Sequence, residues 1–130
     1  MNMKLTIDSI IDIFKALSDK TRLRIIWILH QARCDLCVCE IIDAVEENQY
    51  NVSRHLKILK YAGLVHENKQ GRFVYYSLTK LGYRLLTIIG DLFSLISDEI
   101  LATDAQRLKK RLALRENDKC VIGMHGKRIK

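Results

Sequence analysis

Apolar residues Ile7, Ile10, Ile11, Phe14 and Leu17 recur at helical spacing, which predicts a helix. Ser18 or Asp19 is placed to cap a second helix, with Leu23, Ile26, Trp27 and Leu29 on its apolar face. After a break at residues 31–33, Asp35 can cap a third helix carrying Ile41, Ile42 and Val45. The polar run Glu46-Glu47-Asn48 reads as a tight turn. A fourth helix follows, with Val52, Leu56, Leu59 and Ala62 inward, and Gly63 is suited to end it. The period then changes. Residues 64–69 and 72–78 are rich in β-branched and aromatic side chains and flank Gln70-Gly71, so a β-hairpin is expected. Beyond Thr79 the helical period returns in one long helix through Leu81, Leu85, Ile88, Ile89, Leu92, Phe93, Ile96 and Ile100. Leu108 and Leu112 continue the amphipathic pattern.

This order predicts a mainly α fold with a small β-hairpin (α+β), arranged as a winged helix-turn-helix. In such folds one helix enters the major groove while flanking groups hold phosphates. The long helix is apolar on more than one side, and a chain of 130 residues is too small to bury it alone. A homodimer joined through the terminal helices is therefore expected. The expected division is a DNA-binding and dimerisation domain over 1–104, then a basic tail over 105–130, partly helical or flexible.

The length suits one hydrophobic core. The first residues lack the charged-then-apolar pattern of a leader, and no apolar run is long enough to span a bilayer, so a cytoplasmic protein without a membrane partner is expected. The net charge of +7 is unevenly placed. Residues 105–130 hold nine Lys and Arg against Glu116 and Asp118, which accounts for the whole surplus. The more telling contrast is local. Residues 49–80 carry Arg54, Lys57, Lys60, Lys69, Arg72 and Lys80 against Glu67 alone, after an acidic stretch with Asp35, Glu40, Asp43, Glu46 and Glu47. The polar face of the fourth helix presents Gln49, Asn51, Ser53, Arg54, His55 and Lys57. Gln and Asn suit adenine and Arg suits guanine, while Ser, Lys and His suit phosphate or mixed contacts. Lys69 and Arg72 at the hairpin tip complete the expected surface for double-stranded DNA.

Cys34, Cys37 and Cys39 fall within six positions, and Cys120 is the fourth cysteine. Core thiols, a redox pair and a metal site are all open on spacing alone. Reducing conditions favour free thiols that bind metal or act in redox. On a regular helix, residues two apart point about 200° apart, whereas on an extended segment they share a side. Joint coordination by Cys37 and Cys39 is therefore expected to strain or unwind the start of the third helix. The Cys34-Asp35-Leu36-Cys37 spacing is also that of a thiol oxidoreductase, but it lacks the βαβ setting such a motif needs, and no nucleophile–base constellation is evident. An enzyme is not expected.

Four segments in order resemble the arsenic-repressor (ArsR/SmtB) family. Phe14 to Arg24 is similar to its opening signature, with Lys20 where Pro is usual. Asp35-Leu36-Cys37-Val38-Cys39-Glu40-Ile41 is similar to its metal box, Ser53 to Val65 to its recognition helix, and Gly71 to Tyr76 to its wing. The resemblance implies a homodimeric repressor with no permanent cofactor, released from its operator by a metal or metalloid ion. Trivalent arsenic or antimony (As(III)/Sb(III)) wants three sulfurs in a pyramid. The family's arsenic box has its third cysteine where this chain has Ile42, and its cadmium/lead branch draws cysteines from an N-terminal segment that here has none. Cys34 is therefore expected to join Cys37 and Cys39, with Cys120, possibly the partner subunit's, as second choice. Met124 and His125 are expected to be ordinary tail residues, as are His30 and His66 elsewhere. The family's second zinc site, on the long dimer helix, is not expected, because residues 81–116 contain no His. Cd(II), Pb(II) or Zn(II), or thiol oxidation, are the alternative signals.

Overall fold

The structure is a computed structural model and describes residues 4–96 and 99–124. Helices α1 (Ile7–Leu17) and α2 (Lys20–Ala32) are followed by a two-residue strand, β1 (Leu36–Cys37). Helices α3 (Val38–Val45) and α4 (Gln49–Tyr61) form the helix-turn-helix. Strands β2 (Val65–Gln70) and β3 (Phe73–Leu78) form the wing, and α5 (Lys80–Ser94) and α6 (Ile100–Leu112) complete the described chain. The winged helix-turn-helix expected from the hydrophobic pattern is what the chain adopts.

Side-chain caps start several helices. Thr6 accepts from Ser9 N, Asp19 from Arg22 N, Asn48 from Asn51 N and Thr79 from Gly82 N, each satisfying an otherwise orphaned donor. The core sits where α2, α3 and α4 meet, around Ile25, Ile28, Ile41, Ile42, Leu56 and Leu59. Gly82 lets α5 lie against the backbone of Leu64: a Cβ there would fall 2.2 Å from the Leu64 carbonyl oxygen.

The sheet has the order β1-β3-β2, all antiparallel. Gln70 pairs with Phe73, so the turn is Gly71-Arg72, one residue later than expected, and Gly71 takes φ +62°. The first strand was not expected. It pairs Leu36 with Tyr76 and Cys37 with Tyr75, and Asp35 consequently lies before it rather than capping α3. The N-cap is Cys37, whose backbone N–H donates to the Glu40 carboxylate at 2.8 Å.

The periodic stripe of α1 faces largely outward, and one further expectation is corrected. Ile13 and Ala16 are buried on α1, while Ile7, Ile11 and Phe14 are exposed. Helix α5 likewise exposes Ile88 and Leu92, and a cleft of about 240 Å³ lined by Ile10, Phe14, Leu85 and Ile88 runs between the two helices. The single long helix is also two. At its end Leu95 N and Ile96 N reach back only three residues, to Leu92 O and Phe93 O, and Ser94 Oγ donates to Asp91 O at 2.6 Å. Helix α6 packs along α3, with Leu108 in the common core. The boundary expected after residue 104 thus falls inside α6. Among the described residues, no helix is long and apolar enough to cross a membrane.

Candidate metal centre and nucleic-acid interface

The sheet explains why two cysteines of a helix start can face one point. Cys37 ends β1 with extended backbone (φ −67°, ψ 146°), and Cys39 lies in the first turn of α3. Their Sγ atoms are 2.9 Å apart with α3 intact, so the unwinding expected from helical geometry is not needed. The third sulfur comes from Cys120. After α6 the chain folds back through Asn117 and Asp118, both at positive φ, where Glu116 and Lys119 exchange two 2.9 Å backbone hydrogen bonds. Cys120 N then donates to the Tyr75 hydroxyl at 3.0 Å. Tyr75 pairs in register with Cys37, so one strand residue sets both ends of the cluster. Cys39 Sγ lies 3.4 Å from Cys120 Sγ, and all three sulfurs fall within 4.8 Å of one another and are buried.

Cys34 is not part of this group. Arg33 ends α2 in the left-handed region (φ 54°), and Cys34 is exposed on the loop that follows. Because β1 separates Cys34 from α3, the two residues do not lie one turn apart on a common helix. Met124, expected to be an ordinary tail residue, packs against the thiol cluster. His125 lies outside the described residues.

The cluster is electrostatically uneven. Thiol donation from Cys37 and Cys39, helped by the Arg111 guanidinium 4.0 Å away, lowers Cys120 to about 3. Donation toward Cys120 raises Cys37 to about 11, and Cys39 moves up for the same reason. These shifts favour the thiolate at Cys120 and the thiol at Cys37 and Cys39. The nearby carboxylates are occupied. Arg115 clasps the fully buried Glu40 with two 2.7 Å bonds, and Arg111 holds Asp43 at 2.8 Å. This donor set suits a soft ion.

In the helix-turn-helix, α4 exposes Gln49, Arg54 and Lys57, with Asn51 and Ser53 half-buried. Lys69 and Arg72 are exposed at the wing tip. Glu67, the acid among these cations, is bound by Lys60 at 2.7 Å and by the Tyr76 hydroxyl at 2.8 Å. His55 does not belong to this face. It is 5% exposed, and its Nδ1 lies 2.9 Å from Arg22 Nη1 and 3.8 Å from Asp19. Arg22 also donates from Nε to Ala16 O at 2.6 Å, so His55 ties α4 to the α1–α2 junction. Burial lowers its pKa, which keeps the ring neutral and Nδ1 able to accept. Sequence reasoning passed over Tyr50, 76% exposed in the first turn of α4. Its signal was an aromatic residue standing between two base-reading amides.

Residues 19–67 match the profile for the bacterial regulatory proteins of the arsR family. The chain is 42% identical over 69 residues to the arsenical resistance operon repressor of Escherichia coli, spanning 53% of this chain and 58% of that protein. It thus spans little more than half the length of the arsenic-regulator relatives it matches. It is 36% identical over 95 residues to the cadmium resistance regulatory protein CadC of Listeria innocua, spanning 72% of this chain and 76% of that one. The homodimeric winged helix-turn-helix domain of a possible ArsR-family regulator from Mycobacterium bovis superposes with TM-score 0.61 and 28% identity, covering 67% and 80% of the two chains.

Proposed function

This chain belongs to the arsR family of bacterial regulatory proteins, and from that membership we propose that it is a homodimeric transcriptional repressor released from operator DNA by a thiophilic ion. The observation that carries the reading is the buried triad of Cys37, Cys39 and Cys120 at the start of the helix preceding the recognition helix. Cys120 of the same chain replaces Cys34 as third donor. As(III) or Sb(III) is the favoured ion, because the three sulfurs stand close together without a carboxylate in the set. Cd(II) is the second reading, since the longer alignment is to a cadmium regulator. When bound, the ion supplies a cross-link between α3 and the segment after α6. Gln49, Asn51, Ser53, Arg54 and Lys57 read or hold DNA, and Lys69 and Arg72 hold phosphates. The exposed apolar sides of α1 and α5 receive the second subunit.

The test is operator binding followed by fluorescence anisotropy while arsenite, antimonite or Cd(II) is added under reducing conditions. Release is expected for wild type and for Cys34→Ser. Cys120→Ser should bind DNA normally and lose most of the response, a loss of about 1–3 kcal/mol of coupling. Retention of the full response in Cys120→Ser would remove that residue from the site, and no release of wild type by any ion would refute the metal reading.

A further inference from the structure

The thiol cluster lies at one end of α3, but DNA is read beyond its other end. The last four carbonyls of a helix have no partner within it. In α3, Ile42 O accepts from Glu46 N at 2.9 Å. Ala44 O and Val45 O are satisfied from outside: Arg107 Nε of α6 donates to Ala44 O at 2.7 Å, and Arg24 Nη2 of α2 donates to Val45 O at 2.6 Å. Both guanidinium groups are held by one carboxylate. Asp104, fully buried, accepts from Arg24 at 2.7 and 2.9 Å and from Arg107 Nη2 at 2.7 Å. The residue after these carbonyls is Glu46, in the left-handed region at φ 53°, and α4 begins at Gln49. The turn that aims the recognition helix is therefore capped by an Arg–Asp–Arg clamp.

The same helix α6 reaches the sulfurs. Arg107 and Arg111 lie four residues apart on α6 and share one face, and Arg115 follows just past its C-terminal end. The three meet α3 in antiparallel order: Arg115 at Glu40, Arg111 at Asp43, Arg107 at Ala44 O. From Asp104 to the end of α6 at Leu112 the helical rise is about 12 Å. A force between Cys120 and the Cys37–Cys39 pair is a force between the two helices that this ladder joins.

We propose that Asp104 is a positioning residue of the switch: through Arg107 and Arg24 it relays the placement of α6, set at the thiol cluster, to the α3–α4 turn and so to the recognition helix. The inference rests on the thiol-sensing reading above. It places the coupling in a sliding of α6 along α3 rather than in unwinding of α3.

Arg107→Met is the first test, because that side chain is 27% exposed and the buried Arg24–Asp104 pair is left whole. Asp104→Asn is the second, and if it fails to fold Arg107→Met still decides. The full chain is titrated with arsenite and with operator DNA. Arg107→Met should bind arsenite and, ion-free, bind DNA within about twofold of wild type, while the arsenite-induced loss of DNA affinity shrinks by about tenfold. An undiminished loss would overturn the proposal. Amide exchange at residues 46–48 in the ion-free protein supplies a readout independent of sensing. It should be faster in Arg107→Met than in the exposed control Lys109→Met, and equal rates would overturn the clamp. If wild type does not respond to arsenite, the sensing reading fails while the exchange comparison still judges the clamp.

Discussion

At the scale of single residues, the cluster favours negative charge at one buried sulfur, Cys120. Cys120 is ionised in the fold far below its ordinary value of 9.0, because two thiols donate to it and Arg111 stands beside it. A depressed acid contributes stability that is complete above the unfolded value and is lost as pH falls toward the folded one. Cys120→Ser should therefore be less stable than wild type near pH 8, with the gap closing as pH falls toward 4 in urea denaturation. Cys37 is shifted the other way, to about 11, so its contribution is present below pH 9 and lost above it. Ion binding at neutral pH should then displace about two protons rather than three, read as the slope of log affinity against pH. The Cys37–Cys39 pair was legible in the sequence because both cysteines sit together in a recognisable motif. Its partner was not. Cys34 is close in sequence and Cys120 is not, but proximity in sequence says nothing about a chain that folds back after α6. His55 was misread for a related reason: a polar residue on a basic helix looks like a contact until its partner Arg22, 33 residues earlier, is placed.

At the scale of elements, periodicity predicts what is periodic. Helices α2, α3 and α4 and the hairpin were legible because each repeats a pattern over several residues. Strand β1 has two residues and no period to detect. The break between α5 and α6 carries no Gly or Pro, so the apolar spacing ran across it. The Arg ladder of α6 was visible only as excess charge. Three of those nine cations are in fact bound to Glu40, Asp43 and Asp104. The consequence is testable at Arg115, whose removal leaves the Glu40 carboxylate buried and unpaired. Arg115→Met should cost about 3–5 kcal/mol in chemical denaturation, whereas Lys119→Met, on the surface, should cost under about 0.5 kcal/mol.

At the scale of the molecule, α1 and α5 both expose apolar side chains, Ile7 and Phe14 on one and Ile88 and Leu92 on the other, and Phe14 and Ile88 line a shared cleft. The sequence showed that α5 had too many apolar sides for one small core. It did not show that α1 shares the surplus, because an amphipathic stripe reads the same whether it faces a core or a second subunit. Leu92→Glu should give a monomer in sedimentation velocity and weaken operator binding about tenfold or more, since a single winged domain reaches one half-site.

Cys39 and Cys120 are 81 positions apart, and nearly all of the fold lies between them. An ion held by both ends is therefore a reversible staple across the domain. It closes a loop of about 80 residues, the kind of closure that removes most freedom from the unfolded chain. On the proposed reading, the ion that frees the protein from DNA would at the same moment make it harder to unfold.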